Sequence, residues 1–200
     1  MELHALQCLL AALVIAFASV VQGVVGFAFG LLCVPLLSML YTPAQAVGVN
    51  YLIGTVNVLV ILVLLRRQVD VRRMALLTLA SAAFAVPGAF LLEWLDRRAS
   101  FIFIGASIAL LAAFSLSARN RQAPLFRRPA FGWGASVFSG FLMGAYTLPG
   151  PPMLVYLNNT GMPKDAVKAN VQFYFFALDL VLLPLYVHNG ALTPPTAALG

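Results

Sequence analysis

Asp179 is the only acidic residue well inside the last long apolar stretch of this 200-residue sequence. A carboxylic acid in such a segment has two uses: it can carry a proton across the barrier, or it can pair with a polar neighbour as structural glue. Two glycine- and proline-rich stretches supply the other candidate chemistry, Gly23 to Leu37 (GVVGFAFGLLCVPLL) and Gly140 to Pro152 (GFLMGAYTLPGPP). They interrupt runs apolar enough to span a bilayer, and unwound backbone at that depth is tolerated only where protein or a watery cavity surrounds it. A break that ends at a helix N-terminus presents unpaired N–H groups and a partial positive dipole, which suits an anion without a buried arginine. No Lys or Arg falls inside either break, whereas Gln22, Asn50, Ser139, Tyr146, Thr147 and Asn170 offer neutral hydrogen bonds. The expected chemistry is weak, exchangeable binding of an oxyanion. Its candidate residues are Gln22, Gly23, Gly26, Gly30, Pro35 and Asn50 at the first break. At the second they are Ser139, Gly140, Gly144, Tyr146, Thr147, Pro149, Gly150, Pro152 and Asn170, with Asp179 the candidate for a coupled proton.

The glycines have a second reading. Small residues at these spacings let membrane helices approach closely, and GVVGFAFG contains such spacings. What favours broken helices over packing faces is that the break occurs twice, each time followed by the same pattern. Gly23 and Pro35 match Gly140 and Pro152 at an offset of 117; Pro43, Ala46, Val47 and Asn50 match Pro163, Ala166, Val167 and Asn170 at an offset of 120. The order glycine-rich break, proline, short loop and PxxAVxxN is an internal repeat.

The elements that must position these residues follow from composition. Hydrophobic residues make up 62% and charged residues 9% of the chain, and mean hydropathy is +0.96, too little polar surface for a soluble domain. The sequence is that of an integral membrane protein with one polytopic bundle. Apolar windows fall at 3–21, 25–41, 44–65, 74–92, 99–117, 131–157 and 164–187, long enough for helices and unlike the alternating strands of a barrel. The net charge of +6 sits in short clusters between these windows, so it reports topology rather than a nucleic-acid partner. The loops at 66–73 (RRQVDVRR) and 118–128 hold eight of the twelve basic residues, which assigns both to the cytoplasm. The loop equivalent to RRQVDVRR in the second repeat is the uncharged VHNGALTPP, so equivalent loops face opposite sides: an inverted repeat. Inversion needs an odd number of passes per half. The 39 residues from Leu3 to Tyr41 would make a helix of about 58 Å, nearly twice a bilayer core, so they fold back as a hairpin. Two legs and three further helices make five.

The N-terminal segment carries Glu2 and no basic residue, which distinguishes it from a signal peptide and marks it as a retained first segment. Cys8 and Cys33 lie in apolar surroundings without metal-ligand spacing, His4 and His188 sit at segment ends, and Trp94 and Trp133 flank loops as interfacial anchors. Catalytic and nucleotide-binding motifs are missing, so no enzyme activity, cofactor or metal is expected, and active transport would draw on a gradient.

At these residues the sequence resembles the sulfite exporter family (TauE/SafE), also called the 4-toluene sulfonate uptake permeases. The resemblance covers essentially the whole chain, through QGVVGFAFGLLCVPLL, TPAQAVGVN, SGFLMGAYTLPGPPMLVYL and MPKDAVKANVQF. It implies a multi-pass permease of the bacterial inner membrane, built of two related halves and moving sulfur-containing anions such as sulfite or sulfonates. On matching positions it carries over the breaks at Gly23 to Gly30 and Gly140 to Gly150, together with Pro35, Pro152, Asn50 and Asn170. Phe27, Ala28 and Phe29 stand where the family is often richer in glycine, a departure that bears on pore width.

The expected fold is therefore an all-α polytopic membrane protein of two inverted repeats with broken, hairpin-like first helices. The first repeat covers 1–118, a basic cytoplasmic linker 119–130 and the second repeat 131–200. The second repeat lacks partners for the last two helices of the first, so a full-length member is expected to continue about 50 residues further, on the repeat argument. The expected partners are the lipid bilayer, a small anion and protons as coupling ion. A drug/metabolite-type exporter would need more membrane carboxylates than Asp179; a non-transporting assembly or scaffold protein would use the glycines only as packing faces.

Overall fold

The computed structural model describes residues 2–94, 96–119, 126, 128–147 and 151–188. Among these residues every regular element is a helix. The helices are α1 (Glu2–Val25), α2 (Phe29–Leu40), α3 (Pro43–Leu65), α4 (Val71–Trp94), α5 (Arg97–Arg119), α6 (Pro129–Tyr146), α7 (Pro151–Asn159) and α8 (Lys164–His188), with a single 3-10 turn over Arg66–Gln68. Five of them, α1 to α5, fall within residues 2–119.

The helix starts have local causes. Thr42 caps α3 through a reciprocal pair: Gln45 N–H donates to the Thr42 hydroxyl at 3.3 Å, and Thr42 N–H donates to the Gln45 side-chain carbonyl at 3.1 Å. Pro43 and Pro129 stand in the first turns of α3 and α6, where a missing N–H costs nothing.

Among the described residues four helices contain stretches long and apolar enough to cross a membrane, Leu6–Val25, Gln45–Gln68, Val71–Phe90 and Lys164–Leu185. Large apolar side chains such as Val24, Leu64 and Phe17 lie on the outside, as lipid-facing surfaces require. The two broken elements are shorter. At 1.5 Å per residue, α2 and α7, with 12 and 9 residues, reach only about 18 and 14 Å, too short to cross.

Two helix pairs organise the core. In the first, α6 lies against α4 with glycines at the contact: a Cβ added at Gly140 would come 2.3 Å from the Ser81 carbonyl oxygen, and one at Gly144 would come 1.9 Å from that of Ala85. Contacts advance together along both helices, so α4 and α6 run parallel. In the second, α3 and α8 run antiparallel: Tyr51 and Thr55 meet Asp179, while Gln68 and Asp70 meet Asn170.

This packing corrects the expected extent of the breaks. Gly23 is inside α1, Pro35 is inside α2, and Gly140 and Gly144 are inside α6. The first unwound stretch narrows to Gly26–Ala28. The apolar window 131–157 divides after Tyr146, and of the second break only Thr147 is among the described residues. Gly140 and Gly144 remain helical because α4 offers a matching small stripe, Ser81, Ala85 and Ala89, and the gain from close approach removes any reason to unwind.

Candidate functional site

Each break turns on a backbone conformation that ordinary residues avoid. Gly26 has φ +87°, and its N–H closes α1 onto the Gln22 carbonyl at 2.7 Å. Ala28, the residue before α2, has φ 99° and gives the helix no side-chain cap. Thr147 ends α6 at φ 52°, its N–H bonded to the Met143 carbonyl at 2.9 Å. Ala28 and Thr147 are the only non-glycine residues with positive φ among the described residues. Such conformations cost of order 1–3 kcal/mol and gather at functional sites.

Both strained residues line one cavity of about 40 Å³. Gln22 closes it from α1, Phe27 and Ala28 from the first break, Phe29, Gly30 and Leu31 from the start of α2, Met143 and Thr147 from the end of α6, and Phe175 and Asp179 from α8. The α3 wall is Asn50, Tyr51, Gly54, Thr55 and Val58, the middle of that helix. One water occupies roughly 10–15 Å³ on this measure. The space therefore suits a few waters or one small oxyanion.

The polar contacts are few and specific. The Thr55 hydroxyl donates to the Asp179 carboxylate at 2.9 Å and the Tyr51 hydroxyl to the Asp179 backbone carbonyl at 2.5 Å. Asn50, 3% exposed, donates its amide N–H to the Thr147 hydroxyl, joining α3 to the second break. Among the described residues the Asn50 carbonyl oxygen has no hydrogen-bond partner. First-turn N–H groups of α2 lack intrahelical acceptors, as at any helix start. Among the described residues no Lys, Arg or His lines the cavity.

The sequence-predicted residues divide between this cavity and its surroundings. Gln22, Gly30, Asn50, Thr147 and Asp179 line it together. Gly26 makes the turn beside it, with its carbonyl accepting from the Gln172 amide at 2.5 Å, and the Gly23 carbonyl accepts from the Lys168 ammonium. Asn170 is elsewhere: its side-chain oxygen accepts from Asp70 N–H at 2.9 Å and its amide donates to Ala166 and Gln68 carbonyls, which ties α8 to the start of α4. Gly140, Gly144 and the buried Ser139 are in α6, the two glycines against α4. Pro35 is within α2 and Pro152 is buried in the first turn of α7. Tyr146 is the last residue of α6, while Pro149 and Gly150 lie outside the described residues.

Sequence reasoning missed Tyr51, Gly54, Thr55, Val58 and Phe175. Helical spacing could have found them: Asn50, Gly54 and Val58 recur every four residues, as do Tyr51 with Thr55 and Phe175 with Asp179. Gly54 also leaves room for the Phe29 ring, which an added Cβ would meet at 3.3 Å.

Discontinuous helices that meet at a small cavity within a bundle of long apolar helices are a plan that polytopic membrane transporters use. Within that class the chain belongs to the Sulfite exporter TauE/SafE family, whose model matches residues 11–200. No curated protein and no solved structure matches the chain significantly.

Proposed function

We propose that the protein is a secondary transporter of the bacterial inner membrane for small sulfur-containing oxyanions, binding its substrate in the cavity where the two breaks meet and using Asp179 as the proton-coupling group. One observation carries this reading. The only two strained non-glycine residues among those described, Ala28 and Thr147, belong to different breaks, yet line one cavity with the intramembrane carboxylate Asp179. Neutral donors, α2's open first turn and the small volume favour a compact anion bound loosely enough to leave.

Contacts also support the inverted repeat. The first break lies against the N-terminal half of α8 through Lys168 and Gln172, and the second against the N-terminal half of α3 through Asn50. Because α3 and α8 are antiparallel, the two breaks approach from opposite ends of that pair. With the basic loops in the cytoplasm, the first hairpin enters from outside and the second from inside.

The test is a flux screen in proteoliposomes of purified protein against sulfite, methanesulfonate, thiosulfate and small carboxylates. Saturable uptake of a small sulfur oxyanion is expected. Uptake of none of them, with a folded protein, would support the scaffold reading.

A further inference from the structure

We infer that the cavity carries a singly charged anion together with one proton on Asp179, as an electroneutral pair, and rejects dianions. The inference rests on the transport reading above and concerns the charge state of what moves.

The ionisable groups around Asp179 are few. From α3 it faces Tyr51 and Thr55; the walls from α1, α2 and α6 bring Gln22, apolar side chains, Met143 and Thr147; its own helix brings Phe175. Tyr51 is the only other ionisable lining residue among those described, and its hydroxyl donates to the Asp179 backbone carbonyl. On α8 the nearest Lys or Arg, Lys168, is eleven positions away and His188, in the last turn, nine, about 16 and 14 Å along the axis. Lys168 is engaged by the Gly23 carbonyl. Among the described residues nothing in the wall therefore balances a carboxylate and an anion held side by side.

Two unit negative charges about 6 Å apart, at an effective dielectric near 20, weaken binding roughly 100-fold; a dianion raises the factor to about 10,000-fold. Protonating Asp179 removes the repulsion and turns an acceptor into a donor toward the anion. The cycle balances simply. The carboxylate takes one proton from one side, the monoanion enters, and both leave on the other side, so no net charge crosses.

The experiment uses the full chain in proteoliposomes with a pH-sensitive dye inside and the membrane potential clamped by potassium and valinomycin. Methanesulfonate, a permanent monoanion, is compared with sulfate, a dianion. One proton is expected to enter per methanesulfonate, at a rate independent of potential, whereas sulfate keeps one charge that the single proton on Asp179 does not balance, so its uptake is expected to be lost. Asp179→Asn is expected to exchange methanesulfonate without proton movement, and Asp179→Glu to restore it. Should Asp179→Asn insert but be inactive, Asp179→Glu decides: a proton with each anion supports the inference, proton-free uptake overturns it. Potential-driven methanesulfonate uptake without protons, or sulfate uptake as fast, also overturns it while leaving anion transport standing. Failure of every anion to move would instead remove the transport reading itself.

Discussion

An alanine at position 144 would set a methyl group 1.9 Å from the Ala85 carbonyl oxygen and 2.9 Å from the Ala89 nitrogen, both backbone atoms that cannot turn aside. To reach ordinary contact at 3.4 Å, α6 must retreat from α4 by about 1.5 Å. That movement breaks the bond from the Ser81 hydroxyl to the Ser136 carbonyl, now 2.7 Å, and pulls apart the apolar contacts of Leu142 with the core. Overpacking with rigid neighbours costs about 3 kcal/mol. For a chain of this size that is a fall of roughly 6–12 °C in melting temperature. The control is Gly134→Ala, on the same helix but with nothing within 4 Å of its added Cβ. Thermal unfolding of the purified variants in one detergent compares them directly. Equal melting temperatures for Gly144→Ala and Gly134→Ala would refute the assignment of Gly144 to helix packing.

Gly26→Ala forces an L-residue into φ +87°, at about 1–2 kcal/mol. Its methyl meets only the flexible Lys168 stem, so a modest loss of melting temperature with slowed anion flux is expected. Asn170→Ala leaves the Asp70 N–H without its acceptor, costing about 1–3 kcal/mol; calorimetry should register the loss while flux per folded molecule is kept. Cysteine labelling in a Cys8→Ser background should find position 188 reactive from outside and position 66 from the cytoplasm; reaction of 188 from the cytoplasm alone would overturn the topology.

The helical membrane class was legible because composition leaves no alternative, and the α3 start because PxxAVxxN recurs at Pro43 and Pro163. The first break was legible at Gly26, where positive φ needs glycine, but Ala28 and Thr147 were not, since neither residue type advertises a left-handed backbone. Gly140 and Gly144 misled because a GxxxG spacing fits both a packing face and a flexible break; only the stripe Ser81, Ala85 and Ala89 on α4 separates them, and it lies some 59 residues away in sequence. Asn50 and Asn170 share a motif yet serve different neighbours, because Asn50 meets the second break and Asn170 meets the turn before α4. Repeated sequence thus marks equivalent helix starts, while the neighbour across the packing decides what each asparagine does.

The central claim is that the anion passes through the cavity between the breaks. The direct test is sulfite flux in proteoliposomes before and after maleimide labelling and washing, with Asn50→Cys and Asn170→Cys in a Cys8→Ser background. The account predicts that labelling position 50 stops flux and labelling position 170 leaves it unchanged. Undiminished flux through fully labelled Asn50→Cys would contradict it.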